Sequence, residues 1–323
     1  MKALFAALLV SGLAVPAARA QTIELKFGHV GSPGSLFDVS ANEFARRVRE
    51  KTGGKVVVQV YGSSQLGDDT ELLQKIKLGT VDFALPSTVM SSAVAAFGLF
   101  EMPYLVKDRQ HMARIEKELF WSRLEPAAEK KGLKLIAVWE NGYRHITNSK
   151  HPINTPADLK GIKLRVPEGK WRVKMFQAYG ANPSPMKFSE VFTALQTGVM
   201  DGQENPFTQI ISAKFQEVQK YLSLTGHVYT PAYVAVGAKK WAGLPADVRK
   251  ILESTAKETQ AFVYKKAEAD DNELLDKLKA AGMQVNTPNK DAFIAASKPV
   301  YDEFAKEVPE AKAVIDRAIA LGK

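Results

Sequence analysis

Three polar residues, Arg144, Arg165 and Asn205, stand where three strand-like segments end. An arginine guanidinium is a planar fork of donors that matches a carboxylate with two parallel hydrogen bonds. An asparagine amide both donates and accepts. Two arginines and an asparagine at strand ends therefore favour an anion-binding cleft. The alternatives are a structural ion pair for either arginine and a turn before Pro206 for Asn205.

Trp171 and Phe207 each begin a helix-like segment and are candidates for apolar or stacking walls of that cleft. Packing in the core is the alternative for both. Asp201 and Glu204 are a possible carboxylate pair, but their spacing on a strand places them on opposite faces.

Residue types and motifs argue against several other kinds of site. The chain has no cysteine, which excludes disulfides and thiolate metal sites. Its five histidines show no metal-ligand spacing on one helix, and no nucleophile-elbow, metalloprotease, phosphate-loop or dinucleotide-binding motif is present. We therefore expect no metal, no cofactor and no catalysis. A secreted enzyme acting on an organic acid remains the alternative from a different class.

Strand-like and helix-like segments alternate along the chain, which favours an α/β fold. Strands are predicted at 23–30, 56–61, 81–85, 133–139, 162–166 and 199–204, and helices at 35–51, 68–78, 108–130, 170–179, 189–196 and across 245–282. The last segment is one long helix or two helices with a break. Residues 72–82 and 191–201 share an apolar helix, a terminating glycine and a strand bearing an aspartate. This internal similarity is typical of two similar lobes. The alternative is independent convergence on the same helix–glycine–strand connection.

The first twenty residues have the order of a secretory signal peptide. Lys2 precedes an apolar run that is too short to span a bilayer, and Ala20 precedes the expected cleavage site. We therefore expect export to the periplasm. Removing Lys2 and Arg19 lowers the formal net charge from +9 by two, to +7. A basic surface attracts anions, but no block of basic residues interleaved with aromatics indicates nucleic acid.

Four stretches carry a resemblance to a known family. They read GHV at 28–30, QLGDDTELLQKIKLGTVDFAL at 65–85, LKGIKLRVP at 159–167 and FSEVFTALQTGVMDGQENP at 188–206. Their order and spacing resemble the solute receptors of TRAP transporters (tripartite ATP-independent periplasmic transporters), the DctP-like family. The resemblance extends from about Ile23 to the C-terminal segments. The arginine and asparagine motifs disfavour the nearest alternative, a receptor of the ABC type.

This resemblance implies a role for each candidate residue. It implies that Arg165 binds the ligand carboxylate, that Arg144 is a second contact, and that Asn205 lies near the ligand. Glu71 faces the cleft from the other lobe in this interpretation, with first-turn helix charge as the alternative. Four further candidates fall at the ends of strand-like segments where the family's cleft lies: His29, Gln65, Ser87 and Tyr233.

The resemblance also implies the architecture and the partners. The expected fold is a two-lobe periplasmic binding protein with crossing strands near 140–145 and 227–235 and a long helix spanning both lobes. Lobe I would comprise 21–144 and about 233–265, and lobe II 145–232 and about 266–323. The ligand would be a small organic acid, with a C4-dicarboxylate or sugar acid favoured over an aromatic or hydroxy acid. A monomer would deliver it to a small and a large membrane subunit.

Overall fold

The computed structural model describes residues 22–323, so the predicted signal peptide lies outside the described residues. The strands are β1 Ile23–Gly28, β2 Val56–Tyr61, β3 Phe83–Ala84, β4 Leu133–Asn148, β5 Lys163–Val166, β6 Asn182–Pro185, β7 Gly202–Asn205, β8 Tyr221–Gly237 and β9 Gln284–Asn286. The helices are α1 Leu36–Lys51, α2 Asp69–Leu78, α3 Met90–Ala93, α4 Arg109–Ile115, α5 Glu125–Glu129, α6 Lys170–Ala178, α7 Val191–Gln196, α8 Phe207–Ser212, α9 Ala238–Gly243, α10 Ala246–Ala280, α11 Lys290–Ala296, α12 Lys298–Glu307 and α13 Ala311–Leu321. A π-helical segment, Glu116–Leu124, joins α4 to α5.

All nine strands belong to one sheet, whose order is β2-β1-β3-β8-β4-β7-β5-β6, with β9 paired to β8. The two long strands β4 and β8 run antiparallel through its centre. We call the half built on β2, β1 and β3 lobe I, and the half built on β7, β5 and β6 lobe II. The chain thus has the predicted α/β fold of two lobes joined by crossing strands.

The register of the crossing strands shifts between Glu140 and Gly142. Such a bulge locally bends a strand and changes where its side chains point. Gly142 has a φ of +121°, a conformation that L-residues with a side chain rarely adopt. The strand pair is therefore irregular at the level where the two lobes meet.

Segment 245–282 forms one helix rather than two. Helix α10 has 35 residues, so it is about 52 Å long at 1.5 Å per residue. Its N-terminal half places Val248 and Leu252 in the core of lobe I, and its C-terminal half places Leu274 and Leu278 in the core of lobe II. Apolar burial at both ends makes α10 the helix spanning both lobes that the family resemblance implies.

The echo between 72–82 and 191–201 has a structural counterpart. Asp82 accepts a hydrogen bond at 2.7 Å from the backbone N–H of Lys26 on β1. Asp201 accepts one at 2.9 Å from the backbone N–H of Lys163 on β5. The other carboxylate oxygen of each aspartate pairs with a lysine: Lys240 at Asp82 and Lys150 at Asp201. The same clamp therefore ties corresponding strands together in both lobes.

The sequence missed parts of the sheet. β6 reads Asn-Pro-Ser-Pro, and proline is typical of an edge strand because it cannot donate to a ladder. The third and sixth predicted strands prove shorter, and β4 extends to Asn148 because its second half pairs with β7 in lobe II. No helix within residues 22–323 is both long and apolar enough to cross a membrane.

Candidate ligand-binding site

Arg144, Arg165 and Asn205 line one small cavity between the lobes. Its volume is about 30 Å³, whereas small-molecule pockets usually hold about 300–1,000 Å³. An organic acid therefore enters only if the lobes part or side chains move. The remaining lining residues are Val30, Phe37, Asp69, Ser87, Thr88, Asn141, Pro167, Phe188 and Gln209.

Arg165 projects from β5 into this cavity and is 3% exposed. Its Nε and Nη2 donate to the carbonyl oxygen of Met186 at 3.0 and 2.6 Å. Burial, and then the neighbouring Arg144, lower the pKa of Arg165 to about 10, so it stays charged at neutral pH. Within residues 22–323 it is the one buried arginine that forms no ion pair, since Arg144 and Arg172 both pair with acids.

A buried charge cluster lies beside the cavity and is built around Glu204 and Arg172 of lobe II. Arg144 forks onto Glu204, with an Nε–Oε2 distance of 2.5 Å and an Nη2–Oε1 distance of 2.9 Å. Arg172 donates to Glu204 at 2.7 Å and to Glu101 at 2.9 Å, and His227 Nε2 lies 2.9 Å from Glu204 Oε2. Burial opposes the ionisation of Glu204, but the two arginines outweigh it and hold the pKa of that carboxyl well below its usual range. Arg144 is therefore anchored by an acid of the protein itself.

Three polar atoms on the cavity's lining residues have no hydrogen-bond partner among the described residues. They are Asp69 Oδ1, Thr88 Oγ1 and Gln209 Oε1. Burial, and then the adjacent Asp68, raise the pKa of Asp69 to about 7. Buried polar atoms without partners cost free energy, so their concentration here marks the cavity as a place where a ligand would supply hydrogen bonds.

The lobes touch each other across the mouth of the cavity. Thr70 Oγ1 donates to Glu168 Oε2 at 2.5 Å, and Ser189 Oγ donates to Asp68 Oδ2 at 2.8 Å. Lys187 pairs with Glu71. These polar contacts join the start of α2 in lobe I to the loops after β5 and β6 in lobe II.

Of the ten residues predicted to contact ligand, four line the cavity: Arg144, Arg165, Asn205 and Ser87. The other six lie outside the lining of this cavity. Trp171 packs edge-on against Phe304, with ring centroids 5.0 Å apart. Tyr233 stacks on Phe120 at 5.7 Å. Both belong to the largest hydrophobic core.

His29, Gln65 and Glu71 also lie off the cavity wall. His29 is fully buried next to Phe37, and burial lowers the pKa of its ring to about 4. Gln65 is exposed. Glu71 is engaged by Lys187 at the mouth. The carboxyl that reaches the cavity from this acidic run is instead that of Asp69.

Phe207 lies in a separate groove of about 1040 Å³ beside the crossing strands. It stacks on His145 with ring centroids 4.5 Å apart. Alternation along β4 directs Arg144 to the cavity and its neighbours Tyr143 and His145 to this groove. Phe207 therefore lines this groove and not the cavity into which Arg165 projects.

Sequence reasoning missed Asp69, Thr88 and Gln209 as lining residues. Asp69 stands two residues before the predicted Glu71, and an acidic run at a helix start does not by itself indicate which carboxyl turns inward. Thr88 follows Ser87, and Gln209 lies within the first turn of α8. Glu204 was considered only with Asp201, but it serves the arginine cluster while Asp201 clamps β5.

Comparison with known proteins identifies the family. The model of the bacterial extracellular solute-binding proteins, family 7 (DctP), matches residues 27–307. This chain belongs to solute-binding family 7. Family 7 proteins are solute receptors, and curated relatives are named as periplasmic proteins.

Two curated relatives and one solved structure illustrate the range of the family. The chain is 35% identical over 308 residues to the 2,3-diketo-L-gulonate-binding periplasmic protein YiaO of Escherichia coli, covering 94% of each chain. It is 34% identical over 302 residues to the C4-dicarboxylate-binding periplasmic protein DctP of Rhodobacter capsulatus, covering 92% of this chain and 90% of that one. A TRAP periplasmic solute-binding protein from Polaromonas sp JS666, bound to D-erythronate, is 35% identical with a TM-score of 0.88, covering 92% of this chain and 98% of that one.

Proposed function

We propose that this family 7 receptor binds the carboxylate of a small organic acid through Arg165 and delivers the acid to TRAP membrane subunits. Arg144, held in place by Glu204, completes the anion site, and Asn205 contacts the ligand beside it. The named ligands of the relatives are all carboxylates: a keto sugar acid, C4-dicarboxylates and D-erythronate. The protein binds its ligand without transforming it.

The observation that carries the proposal is the unpaired guanidinium of Arg165. A buried charge is costly unless it is paired and hydrogen-bonded. Arg165 is buried and charged, and its only protein acceptor in residues 22–323 is a neutral carbonyl oxygen. A ligand carboxylate would supply the missing charge with good geometry.

Closure of the lobes is the proposed mechanism. Cavity residues come from both lobes, so a bound acid contacts both and favours the closed form over the open one. The boundaries proposed for the moving units are 21–144 with 233–265 and 145–232 with 266–323. The closed surface would be recognised by a small and a large membrane subunit, and the receptor itself would be an exported monomer in the periplasm after cleavage at Ala20.

A thermal-shift screen tests this function. Mature, ligand-stripped protein is mixed with dicarboxylates, sugar acids, hydroxy acids and aromatic acids, and with neutral sugars as controls. An acid at a hundred times its dissociation constant stabilises the folded state by about 2.7 kcal/mol. A shift with acids but not with the neutral controls is expected.

Two results would count against the proposal. An increase in melting temperature with neutral solutes alone would show that the receptor does not recognise a carboxylate. Consumption of a bound acid during prolonged incubation, followed by mass spectrometry, would instead favour the secreted-enzyme alternative.

A further inference from the structure

From the hydrogen-bond polarity of the cavity wall, and resting on the proposed function, we infer that the ligand is a hydroxylated monocarboxylate and that a dicarboxylate is selected against. Arg165 would bind one ligand carboxylate, since it is the buried arginine without an acid partner in residues 22–323. The other unpartnered groups are oxygen atoms of a side-chain amide, a carboxyl and a hydroxyl. The amide oxygen of Gln209 can only accept, and the hydroxyl of Thr88 both accepts and donates, so the wall needs a donor on the ligand, which a hydroxyl group of a polyhydroxy acid supplies.

The orientation of Gln209 follows from a relay that ends at a backbone carbonyl. Ser87 Oγ lies 2.7 Å from the carbonyl oxygen of Pro231, which can only accept, so the hydroxyl must donate. Asn141 then donates from Nδ2 to Ser87 Oγ at 3.4 Å, and its Oδ1 accepts from Gln209 Nε2 at 3.4 Å. Gln209 therefore has its Oε1 as the remaining acceptor, and that buried atom has no partner in residues 22–323.

A second relay gives Asn205 the same polarity. Gln219 Nε2 donates to the carbonyl oxygen of Val218 at 3.1 Å, so Gln219 Oε1 accepts from the hydroxyl of Thr147 at 3.0 Å. Thr147 Oγ1 accepts from Gln203 Nε2 at 2.9 Å, and Gln203 Oε1 accepts from Asn205 Nδ2 at 2.6 Å. With Nδ2 turned to Gln203, the oxygen of the Asn205 amide is the acceptor available to a ligand.

Charge around the cavity points in the same direction. Asp69 brings a carboxyl to the wall, and Asp68 and Glu168 add negative charge around it, against the positive charge of Arg165 and Arg144. Since Arg144 is already neutralised by its bidentate pair, a second ligand carboxylate would meet acidic groups without a free arginine. Above pH 7, where Asp69 is ionised, a second carboxylate would meet like charge at close range, which is strongly disfavoured, whereas a ligand hydroxyl can donate to Asp69.

Calorimetric titration of ligand-stripped receptor with matched acids at pH 8, where Asp69 is ionised, tests this selectivity. At four carbons the probes are D-erythronate, which has one carboxylate and three hydroxyls, succinate and butanoate. At six carbons they are gluconate, adipate and hexanoate. At one length or both, the hydroxy acid should bind at least tenfold more tightly than its dicarboxylate and its unsubstituted acid.

Two variants assign the selectivity to residues. Asp69→Asn should lower the ratio of the dicarboxylate's dissociation constant to that of the hydroxy acid at least tenfold. Ser189→Ala is the matched control, because it removes the hydrogen bond to Asp68 across the mouth without changing a charge, and it should weaken both ligands by the same factor. Gln209→Met should weaken the hydroxy acid at least fivefold and leave the unsubstituted acid within twofold.

The outcomes separate this inference from the proposed function. A dicarboxylate that binds as tightly as the hydroxy acid at both lengths overturns the inference and leaves the carboxylate site standing. Asp69 loses its assigned role if Asp69→Asn changes both ligands equally. If none of the six acids binds and no acid shifts the melting temperature, the proposed function itself fails.

Discussion

The two lobes share a framework but differ in what their strand ends carry. In both, an aspartate after an apolar helix clamps the backbone N–H of a lysine on the neighbouring strand: Asp82 on Lys26, and Asp201 on Lys163. Two residues after each clamped lysine stand Gly28 in lobe I and Arg165 in lobe II. Three residues after each aspartate stand Leu85 and Glu204, respectively.

This difference indicates that framework and recognition are separable. At Gly28 an added Cβ would approach Leu72 Cδ2 to 2.6 Å, so the lobe I position is closed by packing. At the corresponding place in lobe II a guanidinium reaches the cavity. Lobe II thus holds the fixed positive charge, and lobe I contributes Asp69 from the start of α2 and Ser87 and Thr88 from the loop after β3.

The largest expected effect is loss of the charge cluster in lobe II. Glu204→Gln should lower the free energy of unfolding by about 3–5 kcal/mol, because it leaves Arg144 and Arg172 buried without a shared counter-charge. Urea denaturation measures this. The counterpart in lobe I, Leu85→Met, should cost less than about 1.5 kcal/mol since volume is nearly conserved. If Glu204→Gln and Leu85→Met lower the free energy of unfolding by similar amounts, the proposed difference between the two strand ends is wrong.

The shared clamp should behave alike in both lobes. Asp82→Ala and Asp201→Ala each remove an ionised acceptor from a backbone N–H, at a cost of about 1.5–3 kcal/mol. Denaturation curves of the two variants should agree to within about 1 kcal/mol, and Asp→Asn at either position should cost less because it keeps an acceptor oxygen. A large loss in one lobe with none in the other would remove the structural equivalence.

Asp69 should give lobe I a distinct pH dependence. Its pKa is about 7 in the folded protein, so between pH 4 and 7 the folded state holds a proton that the unfolded chain releases. Stability from this group is therefore complete below about pH 4 and falls as pH rises to 7. As pH rises from 4 to 7, the free energy of unfolding of Asp69→Asn should increase relative to that of the parent protein by about 1–2 kcal/mol, a figure reduced for the partial exposure of Asp69. A constant difference from pH 4 to 7 would contradict the buried-carboxyl assignment.

The smallest expected effect concerns the mouth. Ser189→Ala removes a hydrogen bond to Asp68 that joins the lobes, which is worth about 0.5–1.5 kcal/mol. Ligand affinity should fall a few-fold while urea stability stays nearly constant. Ser122→Ala, an exposed serine of lobe I that bonds within its own helix, is the control. Equal ligand affinities for Ser189→Ala and Ser122→Ala would show that the Ser189–Asp68 hydrogen bond does not help to hold the lobes closed.

The sequence predicted the framework better than the site. Alternation and helical period located most strands and helices, because these patterns follow local burial. The Asn182–Pro185 edge strand and the second half of β4 depend on partners far along the chain, which local pattern does not encode. Arg165 was identifiable from its strand end, but whether Arg144 or Arg165 lacks a counter-ion depends on Glu204, sixty residues from Arg144.

The most direct test of the central claim compares two buried arginines of lobe II. The account predicts that Arg165→Met lowers affinity for the best acid more than thirtyfold and leaves the free energy of unfolding within about 1 kcal/mol, because no protein acid loses its partner. Arg172→Met should lower stability by about 3–5 kcal/mol, since it strands Glu101 and Glu204. An Arg165→Met protein that binds normally, or that is as destabilised as Arg172→Met, would contradict the claim that Arg165 is kept for the ligand.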